Sequence, residues 1–406
     1  MDSAKDDSTN SLLPINTVNL LFSFAAIMPF VIIPLYARSL GATLFQASLI
    51  IGIYWGVQSV TLVFMGSLAD IMGRRKPFLI FSLLGTGIMF ILISFVDIPV
   101  VLILLMGAFG FISAAFVPCI RGLVSEISSK TEKGKNLGLL NTATSFGWAI
   151  GSFLSGLITA LFNFAMTFYV GCVLAVLAAA LTIIFLREVR TDIVKDIDFR
   201  KVLVALKNRF IPRSGESTYL KEKGLNWLYF SVYLRYCAYW GSFALLTIFF
   251  ATIVTTFWIG ILLGVSMGLQ GFLMTPVGKV SDKIGRKPFI TFGLVGTSIV
   301  LSLYALSHDL YLLIVAQILN AFVFASISTG GSAFVADVSP KLKYNEAMGY
   351  LSSSITFGAV SGTILSGILA EFFGLRAMFA VLAILPVIGL VIVLSRVNET
   401  VISSSS

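Results

Sequence analysis

Charge is what this chain has least of. Only 12% of its 406 residues are Asp, Glu, Lys or Arg, about half the share of an ordinary soluble domain. That shortage excludes a typical cytosolic enzyme and a disordered segment, both of which need a solvated, charged surface. Histidine is almost missing: the single copy, His308, lies in a short polar stretch, so neither a His-based metal site nor a Ser/His/Asp set can be built. The three cysteines, Cys119, Cys172 and Cys237, fall inside apolar runs without ligand spacing and read as small packing residues. No Gly-x-x-x-x-Gly-Lys run is present, which excludes nucleotide hydrolysis of the P-loop type. No catalytic residue, metal or cofactor is expected, and the chain does not read as an enzyme.

What the chain does have is hydrocarbon, with 57% hydrophobic residues and a mean hydropathy of +0.98. A helix needs about 20 apolar residues to cross a bilayer. Twelve such runs are read, at 15–38, 47–69, 77–96, 99–122, 137–161, 165–186, 225–249, 256–278, 288–306, 310–335, 348–371 and 376–395. The runs are continuous and do not alternate, so they predict helices and not barrel strands. The fold class is an all-α integral membrane protein. Phe243 to Phe257 offers no clean turn between spans 7 and 8, and the polar, acidic start of the chain does not look like a signal peptide.

The net charge of +9 reports topology. Basic residues cluster between spans, as in Arg74, Arg75 and Lys76, in Lys130, Lys133 and Lys135, and in Lys279, Lys283, Arg286 and Lys287. With the N-terminus inside, all but four of the 28 Lys and Arg are cytoplasmic; Arg38 and Arg376 fall outside, and Arg121 and Arg235 within spans. This asymmetry predicts a multi-pass protein of the plasma membrane with both termini cytoplasmic and no nucleic-acid partner.

The chain repeats itself. GSLADIMGRRKP at 66–77 recurs as GKVSDKIGRKP at 278–288, and Gly52, Gly56, Gln58, Gly66 and Asp70 match Gly264, Gly268, Gln270, Gly278 and Asp282 at one offset. The stretch 137–158 lines up with 348–369, pairing Gly147, Gly151 and Gly156 with Gly358, Gly362 and Gly367. Two matches in the same order make a duplication. Six spans in each half give the halves the same orientation, related by a pseudo-two-fold axis along the membrane normal. The expected organisation is an N-terminal tail at 1–14, a six-helix bundle at 15–186, a linker at 187–224 with an amphipathic helix around Phe199–Phe210, a second bundle at 225–396 and a tail at 397–406.

These features together resemble the major facilitator superfamily of transporters, the drug-efflux branch more than the sugar porters. The family's signature between helices 2 and 3 stands here as Gly66, Leu68, Asp70, Gly73, Arg74 and Arg75, and again as Gly278, Asp282, Gly285, Arg286 and Lys287. The resemblance implies two six-helix bundles around a central cavity, opened to each side in turn by rocking. It also implies a cytoplasmic latch. Asp70 would favour the positive end of span 11 near Ala347 and Gly349, with Arg74 or Arg75 paired to Glu126; Asp282, Arg286 and Asp337 form the mirrored set against span 5. The Gly147/Gly151 and Gly358/Gly362 pairs, spaced by four residues, read as close helix packing. Ser152 stands where a related antiporter motif commonly has proline. Pro29 and Pro34 are expected to kink span 1.

An ionisable residue inside hydrocarbon is a functional hypothesis by default. Arg235 lies about eleven residues into span 7, roughly 16 Å deep, with no carboxylate at similar depth. An anionic solute group could pair with it, and so could backbone carbonyls, tyrosines and water. Ser231, Tyr239 and Ser242 share its face, with Tyr233, Tyr236 and Trp240 nearby. Gln58 and Gln270, Gln317 and Asn320, and Asn141 with Thr144 are mid-depth polar groups that either bind solute or join helices. Arg121 reads as part of the gate. Met106 stands where many proton-coupled members carry arginine. Among the edge acids Asp97, Asp309 and Glu371, Glu371 is the candidate proton acceptor. The expected function is secondary transport of a small organic solute by alternating access, as an efflux permease. Uptake or exchange of an organic anion at Arg235 is the alternative, and a non-transporting membrane sensor the alternative of another class. Expected partners are the solute, the bilayer and a coupling proton or ion, with the protein acting as a monomer.

Overall fold

The structure, a computed structural model, describes residues 3–129, 132–186, 188, 224–339 and 344–398. The expected linker lies outside these residues apart from Glu188 and Gly224, as do Lys130 and most of the C-terminal tail. Among the described residues there are fourteen helices and no strand. They make twelve stretches long and apolar enough to span a membrane: Leu12–Ser39, Leu44–Met72, Lys76–Ser94, Pro99–Ile127, Lys133–Leu161, Phe164–Phe185, Leu225–Ala251, Thr256–Ile284, Lys287–Leu306, Leu310–Val338, Glu346–Phe373 and Leu375–Arg396. We number them spans 1 to 12.

Several ends differ from the expected ones for physical reasons. Span 4 consists of two helices, Pro99–Ser113 and Phe116–Ile127, and so carries Glu126 in its last turn. Span 8 continues past Gly278 to Ile284, because a lone helix glycine costs only about 1 kcal/mol, and Asp282 therefore sits on the helix. Spans 7 and 8 are separated after all: Thr252, Ile253 and Val254 close a turn on Phe249 and Phe250 carbonyls, in a β-branched run that weakens helix. Span 1 belongs to one continuous helix, Ser3–Ser39, that passes through Pro14, Pro29 and Pro34.

The described residues fall into two compact units, one drawn from Met1–Gly41, Ile53–Lys207 and Thr256–Gly264, the other from Ala42–Gly52, Asn208–Thr255 and Val265–Ser406. The first unit centres on Val18, Phe22, Leu79, Leu83, Phe116 and Ile120. Phe22 and Phe116 stack there and join span 1 to span 4. The second centres on Leu225, Leu228, Leu294, Phe334 and Leu351. Lipid tails are as apolar as leucine, so helices in a bilayer associate by close packing and interhelical hydrogen bonds. The glycine pairs supply the closeness. A Cβ on Gly147 would stand 2.6 Å from the Leu20 carbonyl of span 1, and one on Gly358 would stand 2.7 Å from the Tyr233 carbonyl of span 7.

The same chemistry recurs at the start of span 2 and the start of span 8. Within the second unit, Ser48 Oγ donates to the Thr363 carbonyl and lies 3.0 Å from Ser366 Oγ. Within the first, a Cβ on Gly156 would stand 2.6 Å from Gly260 Cα.

Candidate functional site

The turn after span 2 is built on Gly73, whose φ of +60° lies in the left-handed region, and the turn after span 8 on Gly285 at +112°. Glycine adopts both without the steric cost of a Cβ. Each turn returns a guanidinium against the helix it has just left. Arg75 Nη2 lies 2.8 Å from Asp70 Oδ1, and its Nε donates to Glu126 Oε1 at 2.7 Å. In the second unit Arg286 Nη1 pairs with Asp282 and Nε with Asp337 Oδ2 at 2.9 Å. Burial alone would lower the pKa of either arginine; the carboxylate hydrogen bonds and charges outweigh it and raise both. Both therefore stay cationic. The arginines and Glu126 are mostly shielded, whereas the Asp70 and Asp282 side chains are each 63% exposed.

The remaining signature residues divide. Arg74 is exposed and has no ion pair among the described residues. Lys287 Nζ reaches the Leu394 carbonyl at 3.5 Å, as Lys76 Nζ reaches that of Ile183 at 2.8 Å. Gly66 approaches Pro118, and Gly278 has open space where a Cβ would go. Arg121 does not join the Glu126 cluster: its Nη2 contacts Asn141 Oδ1 at 3.4 Å.

Two participants were missed in the sequence. Glu188 Oε1 accepts from the backbone amides of Arg75 at 2.8 Å and Lys76 at 3.3 Å, neutralising the start of span 3. Its signal was available, since Glu399 stands at the offset of 211 that relates the glycine pairs, although Glu399 lies outside the described residues. Gly122 gives the Arg75 guanidinium its seat, because a Cβ there would overlap Nη1.

Arg235 is fully buried in the second unit. Its Nε donates to Thr297 Oγ1 at 3.2 Å, while Nη1 and Nη2 have no hydrogen-bond partner among the described residues. The guanidinium carbon stands 4.5 Å from the ring centroids of both Tyr236 and Tyr239 and 5.5 Å from Phe324. Aromatic faces thus take part of the load that a carboxylate would carry. Tyr239 and Phe324 are 5.4 Å apart, and one turn from Phe324 the Asn320 Nδ2 donates to Ser266 Oγ, which also accepts from Gln270 Nε2. Spans 7, 8, 9 and 10 therefore bring Arg235, Tyr239, Gln270 and Asn320 into one aromatic and polar cluster. Gln317 is buried with both amide atoms unpartnered among the described residues. Ser231 and Ser242 spend their hydroxyls on the Trp227 and Tyr239 carbonyls of their own helix.

Gln58 occupies the corresponding depth in the first unit but a different setting. Its Nε2 donates to Tyr54 Oη at 2.7 Å and to Ser113 Oγ at 3.2 Å, and Ser113 donates to Tyr54. Asn19, not singled out by its sequence, donates to Thr144 Oγ1 and the Leu140 carbonyl, joining span 1 to span 5.

A family model described as the Major Facilitator Superfamily matches residues 15–270 and 236–405. An uncharacterized MFS-type transporter of Methanocaldococcus jannaschii is 25% identical over 380 residues, covering 91% of this chain and 93% of that protein. Multidrug resistance protein MdtG of Escherichia coli is 24% identical over 375 residues, covering 89% and 87%. A solved structure of a mutant nucleoside transporter, NupG, is similar at a TM-score of 0.78 and 13% identity, covering 95% of this chain and all of that one. Twelve spans and two signature turns define a multi-pass membrane transporter fold. The chain belongs to the major facilitator superfamily.

Proposed function

We propose that this protein is a secondary transporter that exports small amphipathic organic solutes by alternating access. The observation that carries the reading is the repeated clamp, in which Arg75 holds Asp70 and Glu126 while Arg286 holds Asp282 and Asp337. The Asp70 and Asp282 arms are exposed pairs, worth about 0–1 kcal/mol each, a strength suited to contacts that form and break. The full-length similarity to a protein named for multidrug resistance supports the outward direction. The basic clusters at the clamped ends support a cytoplasmic position for both clamps and both termini in the plasma membrane. Tyr239, Gln270, Gln317 and Asn320 are assigned to solute in the second bundle, and Gln58 in the first. The protein is assigned as a monomer without cofactor or catalytic step. Purified protein in proteoliposomes, given a panel of cationic, neutral and anionic aromatic compounds, tests this directly: saturable flux of members of the panel is expected.

Arg235 favours a second reading, exchange of an organic anion. Two buried guanidinium nitrogens without hydrogen-bond partners are costly, and an anionic group that displaced the Tyr239 ring would satisfy them. Anion flux that survives Arg235→Ala, together with transport of uncharged members of the panel, would remove this reading.

A further inference from the structure

Glu371, the last acidic residue of span 11, is held by the start of another span. Its Oε2 accepts from the backbone amides of Leu44 at 2.8 Å and Phe45 at 3.2 Å, the first two residues of the span 2 helix. The flanking amides are satisfied locally: Thr43 Oγ1 accepts from Gln46 N at 3.2 Å, and Gln46 Oε1 accepts from Thr43 N at 3.0 Å. That reciprocal pair closes a capping box and leaves two N-terminal donors, which Glu371 takes. A carboxylate there gains charge-assisted hydrogen bonds and the positive end of the helix dipole. Ser48 and Ser366 meet one turn further in.

The repeat carries the residues of this tie in one copy only. Thr255 caps span 8 without a side-chain hydrogen bond. Trp258 stands where the first copy has Gln46, and Ala160 of span 5 where the second has Glu371. We infer that Glu371 is a positioning residue for transport: its negative charge holds the start of span 2 on the end of span 11, and so sets how often this end opens. The consequence for transport rests on the alternating-access reading, whereas the tie itself does not.

The other charged groups at neighbouring helix ends of the second unit are His308, Asp309 and Arg376. Arg376 Nη2 donates to the Ser307 carbonyl and its guanidinium lies against the His308 ring, and Asp309 accepts from the Leu312 amide. The test is a spin-label distance measurement on full-length protein in nanodiscs, with labels on cysteines replacing Leu49 and Phe372 and with Cys119, Cys172 and Cys237 changed to alanine. At pH near 7.5 the short distance should dominate. Glu371→Gln should raise the longer-distance fraction about fivefold, in keeping with loss of a charge-assisted contact. Glu371→Ala, as the second variant, should show the same raised fraction, and His308→Gln should keep the parent distribution. An unchanged distribution in both Glu371 variants, or an equal rise with His308→Gln, overturns the inference. No solute is needed, so this outcome is separable from a failure to transport.

Discussion

Arg75 Nε stands 2.7 Å from Glu126 Oε1, binding the turn after span 2 to the last turn of span 4. Arg286 and Asp337 repeat that bond at 2.9 Å in the other half. A duplicated chain has thus kept one guanidinium and two carboxylates twice, while the residues around Arg235 and Gln58 have diverged.

The two carboxylates of a clamp should not weigh equally. Glu126→Gln removes a shielded, charge-assisted bond and should cost about 1.5–3 kcal/mol, whereas Asp70→Asn acts on an exposed pair and should cost about 0–1 kcal/mol. Thermal unfolding in detergent checks the order, and equal shifts would contradict it.

The clamp should not titrate on the alkaline side. Both arginines have folded-state pKa values raised above the ordinary arginine value. A raised pKa gives stability that is fully present below the unfolded value and lost only as pH climbs through the folded one. The difference in melting temperature between the parent and Arg75→Gln should therefore stay constant from pH 7 to about 10.

Gly122→Ala should displace the Arg75 guanidinium, at about 1–3 kcal/mol for overpacking. The corresponding position of the repeat already carries a methyl group, as Ala333, so Ala333→Gly should leave the Arg286 clamp intact. Unfolding and flux measured on the pair separate a tailored seat from general helix packing.

Arg235→Gln should lower flux of anionic solutes about tenfold or more, as loss of one charged hydrogen-bonding partner implies. Tyr239→Phe, which keeps a ring over the guanidinium, should change flux far less than Tyr239→Ala. Uniform losses across anionic, neutral and cationic solutes would assign Arg235 a packing role instead.

The span count, the duplication and the signature turns were legible because hydropathy, spacing and glycine chemistry are local or repeated properties. So was Arg235's lack of an ion pair among the described residues, since acidic residues are few enough to place one by one. The partners of Glu371 and Glu188 were not legible: both bind backbone amides, which carry no sequence label. Nor was the contrast between Gln58 and Gln270, which match in the repeat. Tyr54 and Ser113 close a triangle around Gln58, whereas Ser266 replaces Tyr54, and Phe324 replaces Ser113, in the second copy.

The central claim is alternating access, and reciprocal labelling tests it most directly. Ser48 is buried and Asn141 exposed, near opposite ends of the spans. Single cysteines at these positions, in a background lacking the native three, would be labelled from each side of oriented vesicles with an impermeant thiol reagent. The account predicts that a transported solute raises labelling at one position as it lowers labelling at the other. Labelling that never changes in opposite directions would contradict it and favour a non-transporting sensor.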